Sequence, residues 1–150
     1  MTTIVYKDGI VAFDSLITRG NARAGLDSNK ARKFKFGSYE FIIGAAGIAV
    51  TCEKLFDWAE TNFDPEKKPQ EESLDNLDAF IIDNKNKLRL MNGNFVSFEI
   101  KSNTFAVGSG SDFALGAMEA GASAVEALKI AIKYDINSSG PIRQLKFKEK

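Results

Sequence analysis

The sequence contains no histidine and only one cysteine. Histidine is the general base of Ser-His-Asp and Cys-His hydrolases, so both of these catalytic arrangements are excluded. The single cysteine, Cys52, cannot form an internal disulfide and has no histidine or second cysteine with which to bind zinc. A hydrolase built on this chain needs another base, and its cysteine content is typical of a reducing, cytoplasmic setting.

The chain also lacks an excess of either charge, with 20 Lys and Arg residues against 20 Asp and Glu residues. Without a positive surplus to neutralise phosphates, nucleic acid is not an expected partner. Residues 1–10 contain neither a basic leader nor a long apolar run, so neither a signal peptide nor a membrane partner is predicted. With 44% hydrophobic and 27% charged residues in 150, the chain is expected to form one globular domain over residues 1–150.

Two hairpins are predicted in the first third of the chain. Residues 2–7 and 10–18 are strand-like runs joined by the Asp8-Gly9 pair, which readily supplies the positive φ angles of a tight turn. Residues 32–36 alternate charged and aromatic side chains, and after a Gly-Ser turn residues 39–46 form a more continuously apolar run. The second hairpin is therefore expected to have a buried return strand.

The middle of the chain predicts a helix followed by four strands. Apolar residues recur at helical spacing between residues 48 and 62, and the charged, proline-containing segment 64–75 indicates an exposed loop. Short strand-like runs separated by Asn and Gly follow at residues 77–83, 87–91, 95–100 and 104–107. These four strands are expected to build a second sheet.

Two helices and a strand are predicted in the last third. One helix begins near Ser111, and another follows Gly121, where Ser123 and Glu126 have the spacing of a capping box. The residues expected to form the buried stripe of this second helix are Val125, Leu128 and Ile132. Residues 141–148 alternate apolar and basic side chains, which predicts a closing strand.

This order of elements is accounted for by two antiparallel sheets packed face to face between two helical layers. The predicted fold class is α+β, in the form of a four-layer αββα sandwich. Order alone also permits other α+β arrangements.

Thr2 is a candidate nucleophile. A threonine hydroxyl is weak in this role unless a nearby base takes its proton, and an N-terminal α-amine with a pKa of about 8 can serve as that base. Thr2 would have such an amine only after removal of Met1, and a small threonine side chain after the initiator permits that removal. Threonine at position two carries little information by itself.

Six segments combine hydroxyl, carboxylate, amine and glycine residues. In chain order they are Thr2-Thr3-Ile4-Val5, Val11-Ala12-Phe13-Asp14-Ser15 with Thr18-Arg19-Gly20, Asn29-Lys30-Ala31-Arg32-Lys33, Gly44-Ala45-Ala46-Gly47, Ala106-Val107-Gly108-Ser109-Gly110 and Tyr134-Asp135-Ile136-Asn137-Ser138-Ser139-Gly140. Together they resemble the corresponding segments of proteasome β-type subunits, especially the bacterial HslV-type peptidases. Each segment is weakly specific alone, whereas the series is jointly specific.

The resemblance implies an N-terminal nucleophile hydrolase in which Thr2 attacks peptide bonds. It implies that Asp14 keeps Lys30 charged and oriented, and that the charge of Lys30 lowers the pKa of the Thr2 amine and hydroxyl. The Gly47 amide would face the developing oxyanion. The residues implied to hydrogen-bond around the Thr2 amine and help it to move a proton are Ser109, Asp135 and Ser138.

The resemblance also implies the substrate and the partners. The backbone of Thr18 would pair with an extended polypeptide substrate, and Ala45 and Ala49 indicate a roomy first pocket. No metal or organic cofactor is required. Family members assemble into rings, which implies a ring-shaped homo-oligomer, and an ATP-driven unfoldase usually feeds their chamber.

Each residue also has a plain structural interpretation. Lys30 is then a surface lysine, Asp14 a turn or edge-strand carboxylate, Gly44 and Gly47 the means of a sharp turn, and the late serines and aspartate are loop caps. The main functional alternative is a catalytically inactive proteasome-fold protein that serves assembly or scaffolding, and an amidase acting on small molecules is another. The presence of Thr2, Asp14 and Lys30 together argues against the inactive protein, whereas the residues alone leave the amidase open.

Overall fold

The computed structural model describes residues 2–19, 22–25 and 29–147. Within them the strands are β1 (Thr3–Lys7), β2 (Ile10–Phe13), β3 (Ile17–Arg19), β4 (Ala22–Gly25), β5 (Ala31–Phe36), β6 (Tyr39–Gly47), β7 (Leu77–Asp83), β8 (Leu88–Asn92), β9 (Ser97–Ile100), β10 (Thr104–Gly108) and β11 (Arg143–Lys146). The α-helices are α1 (Ala49–Ala59), α2 (Ser111–Glu119) and α3 (Ala124–Tyr134), and 3₁₀ turns occupy Pro65–Lys67 and Leu74–Asn76. Met1, Gly20 and Lys148, which the sequence analysis names, lie outside the described residues.

The first hairpin forms as predicted. β1 and β2 pair antiparallel, and the turn residues Asp8 and Gly9 have φ angles of 49° and 85°. The predicted strand 10–18 is wrong in its second half, because β2 ends at Phe13 and β3 pairs with β4 in a separate two-stranded sheet. The backbone leaves the first sheet here because the amides of Ser15 and Leu16 both donate to the Ser139 carbonyl at 3.0 Å.

The strands divide between the sheets differently from the prediction. A five-stranded antiparallel sheet has the order β5-β6-β7-β8-β9, so the second predicted hairpin belongs to it. The four-stranded sheet has the order β10-β1-β2-β11, and β10 therefore does not join the other three predicted strands. Residues 101–103 cross between the sheets, and the amide of Asp8 donates to the carbonyl of Asn103 at 3.2 Å. The antiparallel pairing of β10 with β1 places Gly108 opposite Thr3.

Three apolar clusters hold these elements together. The first contains Leu55 of α1 and Ile43 of β6, and the second contains Ile4 of β1 and Ile82 of β7. The third contains Val5 of β1 and residues of α2 and α3. Ile4 and Val5 are consecutive in a strand, so their side chains project from opposite faces of the four-stranded sheet. The chain is thus α+β, as predicted, and each helix packs its apolar side against a sheet.

The helices largely match the prediction. α1 ends at Ala59 rather than near residue 62, because Asn62 and Phe63 take positive φ angles of 55° and 58° that a helix cannot include. Ser123 and Glu126 form the predicted capping box at the start of α3. The predicted stripe of α3 is wrong in part, since Val125 and Ile132 are only half-buried. Alanines that permit close packing occupy most of the fully buried face, which consists of Ala124, Ala127, Leu128 and Ala131.

The closing strand is β11, which pairs with β2 and completes the four-stranded sheet as its edge. Across residues 2–19, 22–25 and 29–147, none of the helices combines the length and the apolar character needed to cross a membrane.

Candidate active site

Thr2, Asp14 and Lys30 meet at one buried carboxylate oxygen. The Thr2 hydroxyl donates to Oδ1 of Asp14 at 2.5 Å, and Nζ of Lys30 donates to the same oxygen at 2.9 Å. The β1–β2 hairpin brings Asp14 beside the start of the chain, and Lys30 stands directly before β5. The structure therefore brings together three residues that are separated by 28 positions in the sequence.

The Asp14 side chain is fully buried and well satisfied. Besides Thr2 and Lys30, its carboxylate accepts from the backbone amides of Thr3 and Ser139, each at 3.0 Å. A buried carboxylate needs such donors, because leaving its charge unpaired away from water is costly. Asp14 is thus a buried carboxylate that accepts from four donors rather than an edge-strand carboxylate. Lys30 is 9% exposed and is therefore not a surface lysine.

Burial changes the acid–base behaviour of Lys30. Loss of water around the ammonium group lowers its pKa below the ordinary value, and the nearby Asp14 carboxylate and the charge of Asp135 only partly oppose this. Lys30 therefore gives up its proton more readily than a surface lysine. It shares one carboxylate oxygen with the Thr2 hydroxyl, which places the ammonium group close to that hydroxyl.

A second polar group lies on the other side of the Thr2 backbone. Asp135, which caps the C-terminus of α3, accepts at Oδ2 from the hydroxyls of Ser109 at 2.7 Å and Ser138 at 2.5 Å. The Ser109 hydroxyl also lies 3.4 Å from the carbonyl oxygen of Thr2. Both predicted serines are thus hydrogen-bonded to the predicted aspartate beside Thr2.

Thr3 joins this second group, although the sequence analysis assigned it no role. Its hydroxyl lies 2.7 Å from that of Ser138. Ser138 has a single hydroxyl proton, which is directed to Asp135, so Thr3 must be the donor in its contact with Ser138. The hydroxyl protons therefore run from Thr3 to Ser138 to Asp135. Strand alternation is the sequence signal that could have indicated this contact of Thr3. Thr2 and Thr3 are consecutive, so their side chains project to opposite sides.

The Gly-Ser-Gly loop needs its glycines in order to approach these threonines. A Cβ on Gly110 would lie 2.0 Å from the hydroxyl oxygen of Thr3, and a Cβ on Gly108 would lie 2.0 Å from the carbonyl oxygen of Thr2. Gly108 also has a φ angle of 96°, which favours glycine. Only glycine allows the loop to bring Ser109 this close.

Thr2 opens onto a cleft of about 360 Å³. The predicted site residues that line it are Thr2, Thr18, Lys30, Ala45, Gly47 and Ala49. Gly47 has a φ angle of 121°, and a Cβ there would lie 2.4 Å from the Asn76 carbonyl oxygen. Gly44 is not part of a turn, since it lies within β6 and a Cβ would meet Ile4 at 2.7 Å. It is required for packing between the sheets.

Sequence reasoning did not assign several other lining residues to the cleft, and four of these are Arg32, Cys52, Glu53 and Phe56. Periodicity could have found them. Arg32 follows Lys30 by two positions at the start of a strand, and the other three follow Ala49 at helical spacing on α1. Burial raises the pKa of the Cys52 thiol to about 11, so this cysteine is not a ready nucleophile. In the part of the chain that the structure describes, no three Cys, Asp or Glu side chains cluster to hold a metal ion.

No protein-family model and no curated protein matches the chain. Solved structures do. BPH from Thiobacillus denitrificans in complex with epoxomicin has a TM-score of 0.67 and 22% identity, covering 98% of this chain and 97% of BPH. Eukaryotic HslV from Trypanosoma brucei has a TM-score of 0.62 and 22% identity, covering 97% of this chain and 100% of HslV. This chain therefore has the fold of BPH and HslV, as expected from the resemblance of its sequence segments to those of HslV-type peptidases.

Proposed function

We propose that the chain is a threonine-type endopeptidase subunit of a proteasome-like chambered protease, and that Thr2 is its nucleophile once Met1 has been removed. The observation that carries this proposal is the shared hydrogen bonding of Thr2 and Lys30 to buried Asp14 at the cleft. A purely structural threonine would not need a buried lysine beside its hydroxyl. The likeness to BPH, solved with epoxomicin, supports the same interpretation.

The reaction begins with attack by the Thr2 hydroxyl oxygen on the carbonyl carbon of a peptide bond. The hydroxyl proton passes to the free α-amine of Thr2, directly or through a water, while the charge of Lys30 favours the deprotonated oxygen. A tetrahedral intermediate forms, and the Gly47 amide stabilises its oxyanion. When the C–N bond breaks, the amine returns the proton to the leaving nitrogen, and an ester between Thr2 and the acyl fragment remains.

Hydrolysis of that ester regenerates the enzyme. The Thr2 amine takes a proton from water as the water attacks the ester carbon, and the Thr2 oxygen then leaves and is reprotonated. We assign to the group formed by Ser109, Asp135 and Ser138 the role of holding the amine in place through this cycle. Within that group the Thr3 hydroxyl contacts that of Ser138 and fixes its orientation. No metal or organic cofactor takes part in these steps.

The substrate binds as an extended polypeptide. Thr18 lies on β3 at the cleft, and we assign to its backbone the pairing with the extended substrate. The side chain before the scissile bond enters the pocket beside Ala45 and Ala49. A catalytically inactive scaffold of the same fold is the alternative, and modification of Thr2 by a peptide epoxyketone distinguishes the two.

The proposed assembly is a ring-shaped homo-oligomer of single-domain subunits in the cytoplasm, each a four-layer αββα sandwich, with an ATP-dependent unfoldase as its partner. An exposed apolar surface supports the assembly: Phe113 of α2 stacks on Tyr134 of α3 with 5.9 Å between ring centroids, and Ile136 beyond α3 is 91% exposed. Light scattering is expected to give a mass many times the 16.4 kDa of one chain. A stable monomer across micromolar concentrations would contradict the ring.

The direct test of the function is covalent. A peptide epoxyketone should modify Thr2 through both its oxygen and its amine, because only an N-terminal residue offers both groups. Peptide mapping by mass spectrometry identifies the modified residue.

A further inference from the structure

An ion pair forms one wall of the cleft, close to the pocket residues Ala45 and Ala49. Nη2 of Arg32 donates to Oε1 of Glu53 at 2.6 Å, and Nη1 donates to Oε2 at 3.2 Å. Both residues line the cleft. This two-pronged geometry engages both carboxylate oxygens and is the stronger form of an arginine–carboxylate pair.

Arg32 is also held from two other sides. Its guanidinium carbon lies 4.0 Å from the centre of the Phe56 ring, and its Nε donates to the Asn29 carbonyl at 3.3 Å. Phe56 is buried in the core that joins α1 to the sheet. The arginine is therefore fixed in place by its surroundings, and Glu53 neutralises it there.

Small and apolar residues complete this side of the cleft together with Asn29 and Lys30, and Lys30 is itself paired with Asp14. Ala45, Ala49, Cys52 and Phe56 line the same cleft, and burial raises the pKa of Cys52 to about 11, so its thiol carries no charge at neutral pH. A substrate side chain that enters here meets alkyl, thiol and aromatic surface beside an ion pair whose two charges cancel.

We propose that the Arg32–Glu53 pair sets the side chain that the cleft accepts, making it selective for uncharged, apolar side chains and rejecting both acidic and basic ones. This inference rests on the proposed function only for the identity of the ligand as a peptide. An acidic side chain is repelled by Glu53 and finds Arg32 already paired, and a basic side chain is repelled by Arg32 and finds Glu53 already paired. Loss of either member would leave one fixed charge facing the pocket and reverse the selectivity toward the opposite charge.

The test measures binding separately from cleavage. Thr2→Ala protein, with Met1 removed, is titrated into fluorescein-labelled peptides that differ only in a C-terminal leucine, glutamate or lysine, and anisotropy gives each Kd. We expect the leucine peptide to bind roughly tenfold more tightly than the two charged peptides. Adding Glu53→Gln should lower the Kd of the glutamate peptide about tenfold, and adding Arg32→Met should lower the Kd of the lysine peptide about tenfold. Neither substitution should change the Kd of the leucine peptide by more than about twofold.

Lys54→Gln is the matched control. Lys54 lies on the same helix as Glu53 and pairs with Glu72 at 3.3 Å, but it does not line the cleft. This substitution should change none of the three affinities. The inference is overturned if the affinities keep the same order in the Glu53→Gln and Arg32→Met proteins, or if no peptide binds. Absence of cleavage by the unsubstituted protein, with the binding order switching as expected, would refute the proposed peptidase and leave this inference standing.

Discussion

Thr2→Ala is expected to lower kcat/KM for small fluorogenic peptides by at least about 10³-fold, because it removes the nucleophile and no second hydroxyl takes its place. The fold should survive. Asp14 keeps its hydrogen bonds from Lys30 and from the amides of Thr3 and Ser139 after the Thr2 hydroxyl is lost. The measurement is steady-state hydrolysis with the unsubstituted and the substituted protein, together with thermal unfolding of both.

Two further variants serve as controls for the Thr2→Ala result. Thr2→Ser retains a hydroxyl and an amine and is expected to retain measurable activity. Thr104→Ala removes a threonine at the far end of the β1–β10 pairing, opposite Lys7, and should leave activity unchanged. Substantial turnover by a clean Thr2→Ala preparation would show that another residue performs the chemistry.

Lys30→Met is expected to reduce kcat by about 10²- to 10⁴-fold, because it removes the positive charge that favours the deprotonated Thr2 oxygen while keeping a side chain of similar length. It should also lower stability. Lys30 and Asp14 form a buried ion pair at 2.9 Å, and removal of one partner from such a pair typically costs about 3–5 kcal/mol of unfolding free energy. The backbone amides that remain on Asp14 should keep the loss near the lower end of that range.

The two effects of Lys30 can be separated. The double variant Lys30→Met with Asp14→Asn no longer buries an unpaired carboxylate, so it is expected to recover part of the stability while activity stays low. Lys54→Met is the surface control, since Lys54 is half exposed and should change neither quantity. Near-normal activity in a folded Lys30→Met protein would remove Lys30 from the mechanism.

Local signals predicted the elements that depend on neighbouring residues. The Asp8-Gly9 pair identified the first turn, and the spacing of Ser123 and Glu126 identified the start of α3. In both cases the residues that form the feature lie within a few positions of one another. The two-stranded sheet of β3 and β4 was missed, because Ala22–Gly25 has no alternating pattern and is largely exposed.

Contacts between distant segments could not be predicted in this way. Strand-like residues 104–107 are apparent in the sequence, but nothing within them indicates that β10 pairs with β1 rather than with β9. The candidate site residues were predicted as a set by resemblance. Six of them line the cleft, and Asp14, Ser109, Asp135 and Ser138 lie in hydrogen-bonded groups beside Thr2. The hydrogen bond between Thr3 and Ser138 and the pairing of Arg32 with Glu53 were not predicted, because each depends on which side chains meet in space.

The most direct measurement of the central claim is the map of the residue modified by a peptide epoxyketone. Protein whose Met1 removal is verified by intact mass is treated with the inhibitor, digested and sequenced by mass spectrometry, in parallel with protein carrying an uncleavable residue ahead of Thr2. We predict a doubly linked adduct on the oxygen and amine of Thr2 in the first sample, and neither adduct nor peptidase activity in the second. Modification of Ser109, Ser138 or Cys52, or activity that survives the blocked N-terminus, would contradict the assignment of Thr2 and its amine as the catalytic pair.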